Sequence, residues 1–451
     1  MGKTTLSRDL TDGSIAAQLF GFVGPLFLSN VLQTVYNVVD MAVVGRYVGN
    51  AGLSAVSVCG ELVNILTFLA MGFANAGQVL ISQYVGAKRR DKVRELIGNL
   101  FTVMLIAALA FTGAALFFRD GILRFANVPA EAATDARAYF VICACGLVFT
   151  YGYNVVSAIL RGMGDSRHPF VFIALASILN IVLDLLLVAV CGLGSAGAAY
   201  ATVISQALSF LASMVFLARN RAAFGFDFRP KSFALRREAL IPLVKLGVPI
   251  ALQYGLIQFG KLVVTRWING YGVNVSAITG VGNKINSIGM TFSSAVSTSA
   301  AAIIGQCIGA EKYGRVWKTV CISGALSVSI ATVLAGLLAL FPEAVFGIFT
   351  DDAQVLAMSR AYMPVAAVML YSSAFRAPMN GLINGSGHSR LNFLLAFLDG
   401  IAGHIGLAAL FGFGLGFGLP GLWYGNAAAG FIPFFVGLAF YMSGKWKKKV
   451  G

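Results

Sequence analysis

The stretch PLFLSNVLQTVYNVVDMAVVGR, residues 25–46, decides how this chain folds. It is the second half of a long apolar run, and between its terminal Pro25 and Arg46 it holds one charge, Asp40. No other Asp, Glu, Lys, Arg or His occurs between Asp12 and Arg46. Such a run exceeds the roughly 20 residues a helix needs to cross a bilayer. An acid within it costs a few kcal/mol or more, which makes Asp40 a candidate functional residue. The bland alternative is that Asp40 snorkels to the surface, because Arg46 follows six residues later, about 9 Å along a helix. Pro25 removes a backbone donor, so the same helix has a point at which it can bend.

The remainder of the sequence repeats this pattern. Of its 451 residues, 58% are hydrophobic and 11% charged, and the mean hydropathy is +0.81. A soluble domain carries about 25% charged residues, so the composition is that of a multi-pass membrane protein. Apolar segments fall at about 16–44, 51–82, 96–118, 137–160, 169–191, 195–218, 240–265, 272–309, 317–341, 355–383, 391–414 and 418–443. The expected fold is therefore all-α, with twelve transmembrane helices. A net charge of +15 would suit nucleic acid, but its placement in short loops is topogenic, and no nucleic-acid partner is expected.

Lys and Arg crowd the N-terminus (Lys3, Arg8), the loops after even-numbered helices (residues 88–94, 161–167, 219–237, 312–318 and Arg390) and the C-terminus (Lys445, Lys447, Lys448, Lys449). The opposite loops carry Arg46, Arg119, Arg124, Arg137, Arg266 and Arg360. The positive-inside rule then puts both termini in the cytoplasm. The first apolar run is too long for a signal peptide and lacks a small-residue cleavage site, so no processing is expected. The six cysteines have no zinc or redox spacing and read as small packing residues.

Two halves share one plan. LRGMGDSRHPF at 160–170 returns as INGSGHSRLNF at 383–393, and QYVGA at 83–87 as QCIGA at 306–310. Pro25 returns as Pro249, and SAVSVCG at 54–60 as SAITGVG at 276–282. The expected domains are an N-terminal six-helix lobe (1–218), a basic cytoplasmic linker (219–239) and a C-terminal six-helix lobe (240–451). Parallel repeats of this kind place a substrate cleft between halves in transporters.

The first half concentrates oxygen donors. Asn180 and Asp184 are four apart and share a helix face. Counted from the outer loops, they and Thr202 reach similar depth, about 10–18 Å at helical rise, as does Asp40. Two carboxylates, an amide and a hydroxyl form an all-oxygen set suited to a hard cation such as Na+. The set suits a proton too, because adjacent carboxylates resist carrying two charges. Singly, Asn180 and Thr202 read as interhelical hydrogen-bond groups. In the second half Val264, Gly403 and Leu407 stand where Asp40, Asn180 and Asp184 would recur. That half instead carries Lys261, Lys284, Arg376, Asp399 and His404 within its helices. With Tyr36 and Glu61 these are candidate cavity or gate residues. Glu61 and Lys284 occupy nearly equivalent levels and are a candidate pair, while Asp399 and His404, five apart, face different ways on a helix.

VYNVVDMAVVGRYVG in the first helix, ISQYVGAKR after the second and LRGMGDSR after the fourth together resemble the multidrug and toxic compound extrusion (MATE) family. The resemblance covers essentially the whole chain. It implies a V-shaped pair of bundles and efflux of amphiphilic or cationic organic compounds by antiport with H+ or Na+, with alternating access and no other cofactor. It implies a monomer in a bacterial-type cell membrane whose partners are small organic substrates and lipid. Asp40, Asn180, Asp184 and Thr202 match the amino-lobe ion site of members like DNA-damage-inducible protein F and their archaeal relatives, and Pro25 matches the proline at which their first helix bends. The norfloxacin-exporter-like branch has acids in helices seven and ten; here those regions read ALQYGLIQFGK and LYSSAFR, without one. The alternative within the superfamily is a lipid-linked-oligosaccharide flippase with a cationic cavity, to which Lys261, Lys284 and Arg376 correspond. An enzyme is not expected, because no nucleophile–base or metal-ligand spacing occurs.

Overall fold

The computed structural model describes residues 8–350 and 352–447; Lys3, Lys448 and Lys449 of the charge pattern lie outside them. Among the described residues there is no strand, and twelve helices are long and apolar enough to cross a membrane. They are α1 (Ile15–Tyr47), α2 (Asn50–Gly86), α3 (Arg90–Phe117), α4 (Ala130–Gly162), α5 (Arg167–Val190), α6 (Gly194–Arg219), α7 (Arg237–Asn269), α8 (Val273–Gly309), α9 (Tyr313–Leu340), α10 (Ala353–Ser386), α11 (Ser389–Gly414) and α12 (Gly418–Met442). Most run beyond the apolar segments on which they are built, because amphipathic turns continue the backbone ladder past the bilayer edge. The internal repeat also extends into the loops. Short helices Arg119–Phe125 and Pro342–Gly347 follow α3 and α9 at matching places.

By packing, the chain forms two compact units. The first holds Arg8 and Gly24–Gly247; the second holds Asp9–Val23 and the residues from Val248 onward. The expected division at 219–239 follows the order of the repeats, whereas the units change over inside α1, one residue before Pro25, and inside α7, one residue before Pro249. Residues 9–23 are secured within the second unit. The Leu10 amide donates to Gln306 Oε1 at 2.9 Å, Lys312 pairs with Asp12 at 2.6 Å, and Arg315 Nη1 donates to the Gly13 carbonyl at 2.9 Å.

In the first unit α2 packs most extensively on α4, and in the second α8 on α10. Small residues allow this: a Cβ on Gly381 or Gly385 would come within 3 Å of α8 atoms, the close-approach device of membrane helices. Large apolar side chains such as Phe117 (82% exposed) and Val273 (84%) stay uncovered, as expected of helices whose solvent is lipid. Cys59, Cys143 and Cys307 are buried packing residues, but Cys145, Cys191 and Cys321 are exposed, correcting the uniform packing role expected for all six.

The basic linker is anchored to α3 within the first unit. Arg94 pairs with Asp227 and Arg236 with Glu95, each at 2.7 Å, and the Arg236 amide donates to Asn99 Oδ1 at 3.0 Å. The Ser232 hydroxyl bonds to the half-buried Asp227 and holds its carboxyl below the ordinary value. Gly98 is required here, because a Cβ would meet the Ser232 carbonyl oxygen at 1.8 Å.

Candidate functional site

The first unit assembles the oxygen set. Asp40, Asn180 and Asp184 are buried at 6%, 1% and 0% exposure, on α1 and α5. The Asn180 amide donates to Thr202 Oγ1 on α6 at 3.4 Å. Asp40 and Asp184 are close enough for the charge of one to act on the other. Snorkelling is thus not what Asp40 does.

Oδ1 of Asp40, Oδ1 of Asn180 and both carboxylate oxygens of Asp184 are buried and have no hydrogen-bond partner. Buried polar atoms in folded proteins are almost always satisfied, and a cluster of exceptions marks a place for an ion, a proton or water. Among the described residues no three His, Cys, Asp or Glu side chains converge. The donor set offers two acids with neutral oxygens around them, an all-oxygen arrangement suited to a hard cation or a shared proton.

Three further side chains belong to this site. Tyr36, one turn before Asp40, lies within electrostatic reach of Asp40 and Asp184 and shares a hydrogen bond with Gln206. Gln206 stands one turn after Thr202, and its Oε1 is itself buried and unpartnered. Tyr139 on α4 bonds to the Cys143 side chain and also lies within reach of Asp40. Neither Gln206 nor Tyr139 was marked by the sequence. Their only signal is a spacing of four from Thr202 and Cys143, shared with many helical neighbours. Immediately after Asp184, residues Leu185–Val190 form a π-helical turn. Such turns widen the helix and recur at functional sites.

The second unit is built differently. Its α11 is π-helical over Leu398–Leu407 and Leu410–Gly414. Asp399, fully buried, receives a bidentate pair from Arg376 of α10 at 2.8 and 2.7 Å. His404 Nδ1 faces Asn426 Oδ1 at 2.7 Å, and its Nε2 is buried without a partner. Lys261 Nζ donates to the thioether of Met290 at 3.5 Å. Lys261, Arg376 and His404 line one cavity of about 340 Å³. Asp399 and His404 do not pair, as their spacing implied. Glu61 and Lys284 are both exposed, and neither enters an ion pair among the described residues.

The family description MatE matches residues 25–186 and again 249–417, once in each repeat. The chain belongs to the MATE family. Its curated relatives include "Probable multidrug resistance protein YpnP" of Bacillus subtilis, 28% identical over 97% of both chains. "Probable multidrug resistance protein YoeA" of the same organism is 30% identical over 78% of each. Among solved structures, the outward-facing conformation of a multidrug resistance MATE family transporter superposes with a TM-score of 0.90 at 22% identity, covering 98% of both chains. A MOP superfamily transporter from Pyrococcus furiosus, described by its reversed binding-pocket polarity, also gives 0.90 at 22% identity over the full length of both. These likenesses establish the MATE fold for all twelve helices.

Proposed function

We propose that this MATE chain exports amphiphilic or cationic organic compounds by alternating access, driven by inward H+ or Na+ bound at Asp40, Asn180, Asp184 and Thr202. The observation that carries the reading is the group of buried, unpartnered oxygens on α1 and α5. In a membrane interior an ionised carboxylate without a partner is expensive. Taking up a cation or a proton removes that cost, and releasing it restores the cost, so occupancy is tied to the packing of α1. The names of the relatives support drug export, and none of those given above supports oligosaccharide flipping.

The test is ethidium efflux in vesicles holding the purified chain, with the pH and Na+ gradients imposed separately. Wild type should respond to at least one gradient. Asp184→Asn should weaken that response about tenfold at equal protein level, within the usual range of coupling energies. Export that ignores both gradients, or an Asp184→Asn variant as fast as wild type under a limiting gradient, contradicts the reading.

We also infer that both termini lie in the cytoplasm, from the crowding of Lys and Arg at residues 88–94 and 219–237. Single cysteines placed in these loops, on a cysteine-free background, should react with impermeant maleimide only after cells are opened. Labelling of both loops in sealed cells would reverse the orientation.

A further inference from the structure

The cavity in the second unit has no role in the coupling just described, and its charge is opposite to that of the oxygen set. It is lined by Lys261 and Arg376 together with neutral hydrogen-bonding groups, among them Asn283, Asn286, Ser372 and Asn426. Its two basic side chains are not equivalent. Arg376 has Asp399 against its guanidinium at 2.7 and 2.8 Å, so that charge is balanced within the protein. Lys261 lies within electrostatic reach of both, yet its ammonium contacts only Met290 Sδ at 3.5 Å, a weak acceptor. One positive charge is left over. His404 adds a buried Nε2 without a partner, held in place by the Nδ1 contact to Asn426.

An excess charge in a half-enclosed membrane cavity is costly unless something pairs with it. Among the described residues no carboxylate forms an ion pair with Lys261. A cavity of about 340 Å³ is of the size that takes small organic ligands. A dianion would exchange one uncompensated charge for another, whereas a single negative charge balances the site.

We propose that this cavity binds one singly charged anionic group of the transported compound, a carboxylate salt-bridged to Lys261, with the Arg376 edge and the cavity amides completing its hydrogen bonds. This rests on the export reading and names the chemistry at one end of the substrate. It makes amphiphiles carrying a carboxylate, zwitterions included, better ligands than their neutral or purely cationic counterparts.

The experiment compares dansylglycine with dansylglycinamide, which differ only in carboxylate against amide, through dansyl emission on the purified full chain in detergent. Wild type should bind dansylglycine about tenfold more tightly, as a desolvated charge-assisted contact implies. The preference should vanish in Lys261→Met and persist in Lys261→Arg. Equal affinities in wild type, or an undiminished preference in Lys261→Met, overturn the proposal. Dihexanoylphosphatidylglycerol carries the same single charge on a lipid phosphodiester. If its binding depends on Lys261 and that of dansylglycine does not, the anion is a headgroup and the substrate assignment falls. Binding is read without any gradient. Loss of the preference with ethidium export intact therefore sinks the anion site alone, and the converse sinks the export reading alone.

Discussion

Asp40→Asn should insert and fold like wild type and yet lose gradient-driven ethidium export by about tenfold or more. The substitution keeps the shape of the side chain and removes its ability to ionise. Little stability is at stake, because Asp40 Oδ1 has no hydrogen-bond partner to lose. What disappears is the alternation between a charged and a neutralised site. A bound ion can drive a conformational change only through different affinities in two states, and an amide binds a cation or proton far more weakly than a carboxylate does. Asp40 is fifteen residues from Pro25 on the same helix, so its occupancy bears on the segment where α1 has no amide to donate. Pro25→Ala should accordingly retain dye binding while slowing turnover. Efflux by Asp40→Asn equal to wild type at matched expression would end this mechanism.

The second large effect is on stability. Asp399→Ala should lower the apparent melting temperature of the purified protein well below that of wild type. It leaves the Arg376 guanidinium, 13% exposed, without the carboxylate that receives both of its donors. Removing one partner of a buried ion pair typically costs about 3–5 kcal/mol, because the survivor stays charged and desolvated. Joint replacement, Arg376→Met with Asp399→Leu, should recover most of the loss, since a buried pair contributes little net stability over apolar residues of similar size. Thermal unfolding of the three variants separates these outcomes. If Asp399→Ala melts with wild type, the pair does not support the fold.

The twelve helices could be read from residue order because crossing a bilayer requires long uninterrupted apolar runs, and nothing else in a protein of this size demands them. The residues proposed for coupling were legible for the related reason that Asp40 and Asp184 are expensive where they stand, so they draw attention singly and Asn180 follows by spacing. Other features lacked such a signal. Asp399 reads alone as an isolated acid; that Arg376, 23 positions earlier, satisfies it depends on how α10 and α11 pack, which the intervening residues do not encode locally. Gln206 and Tyr139 are uncharged and pass as ordinary membrane-helix residues. The π-helical turn after Asp184 comes from packing around LLLVAV, a composition equally at home in an α-helix. The crossover inside α1 and α7 was invisible too, because the repeat follows sequence order while the packing exchanges a short segment at each of two prolines.

That exchange bears on how the protein is made. A ribosome delivers residues 9–23 first, but their partners, Gln306, Lys312 and Arg315, emerge some three hundred residues later. At about 5–20 residues per second, the first segment waits on the order of 15–60 s for them. During that interval the leading half is inserted but cannot finish folding, with Leu10, Asp12 and Gly13 still without their later contacts. Synthesis of the end of α8 and the start of α9, rather than of the first bundle, is what supplies these contacts.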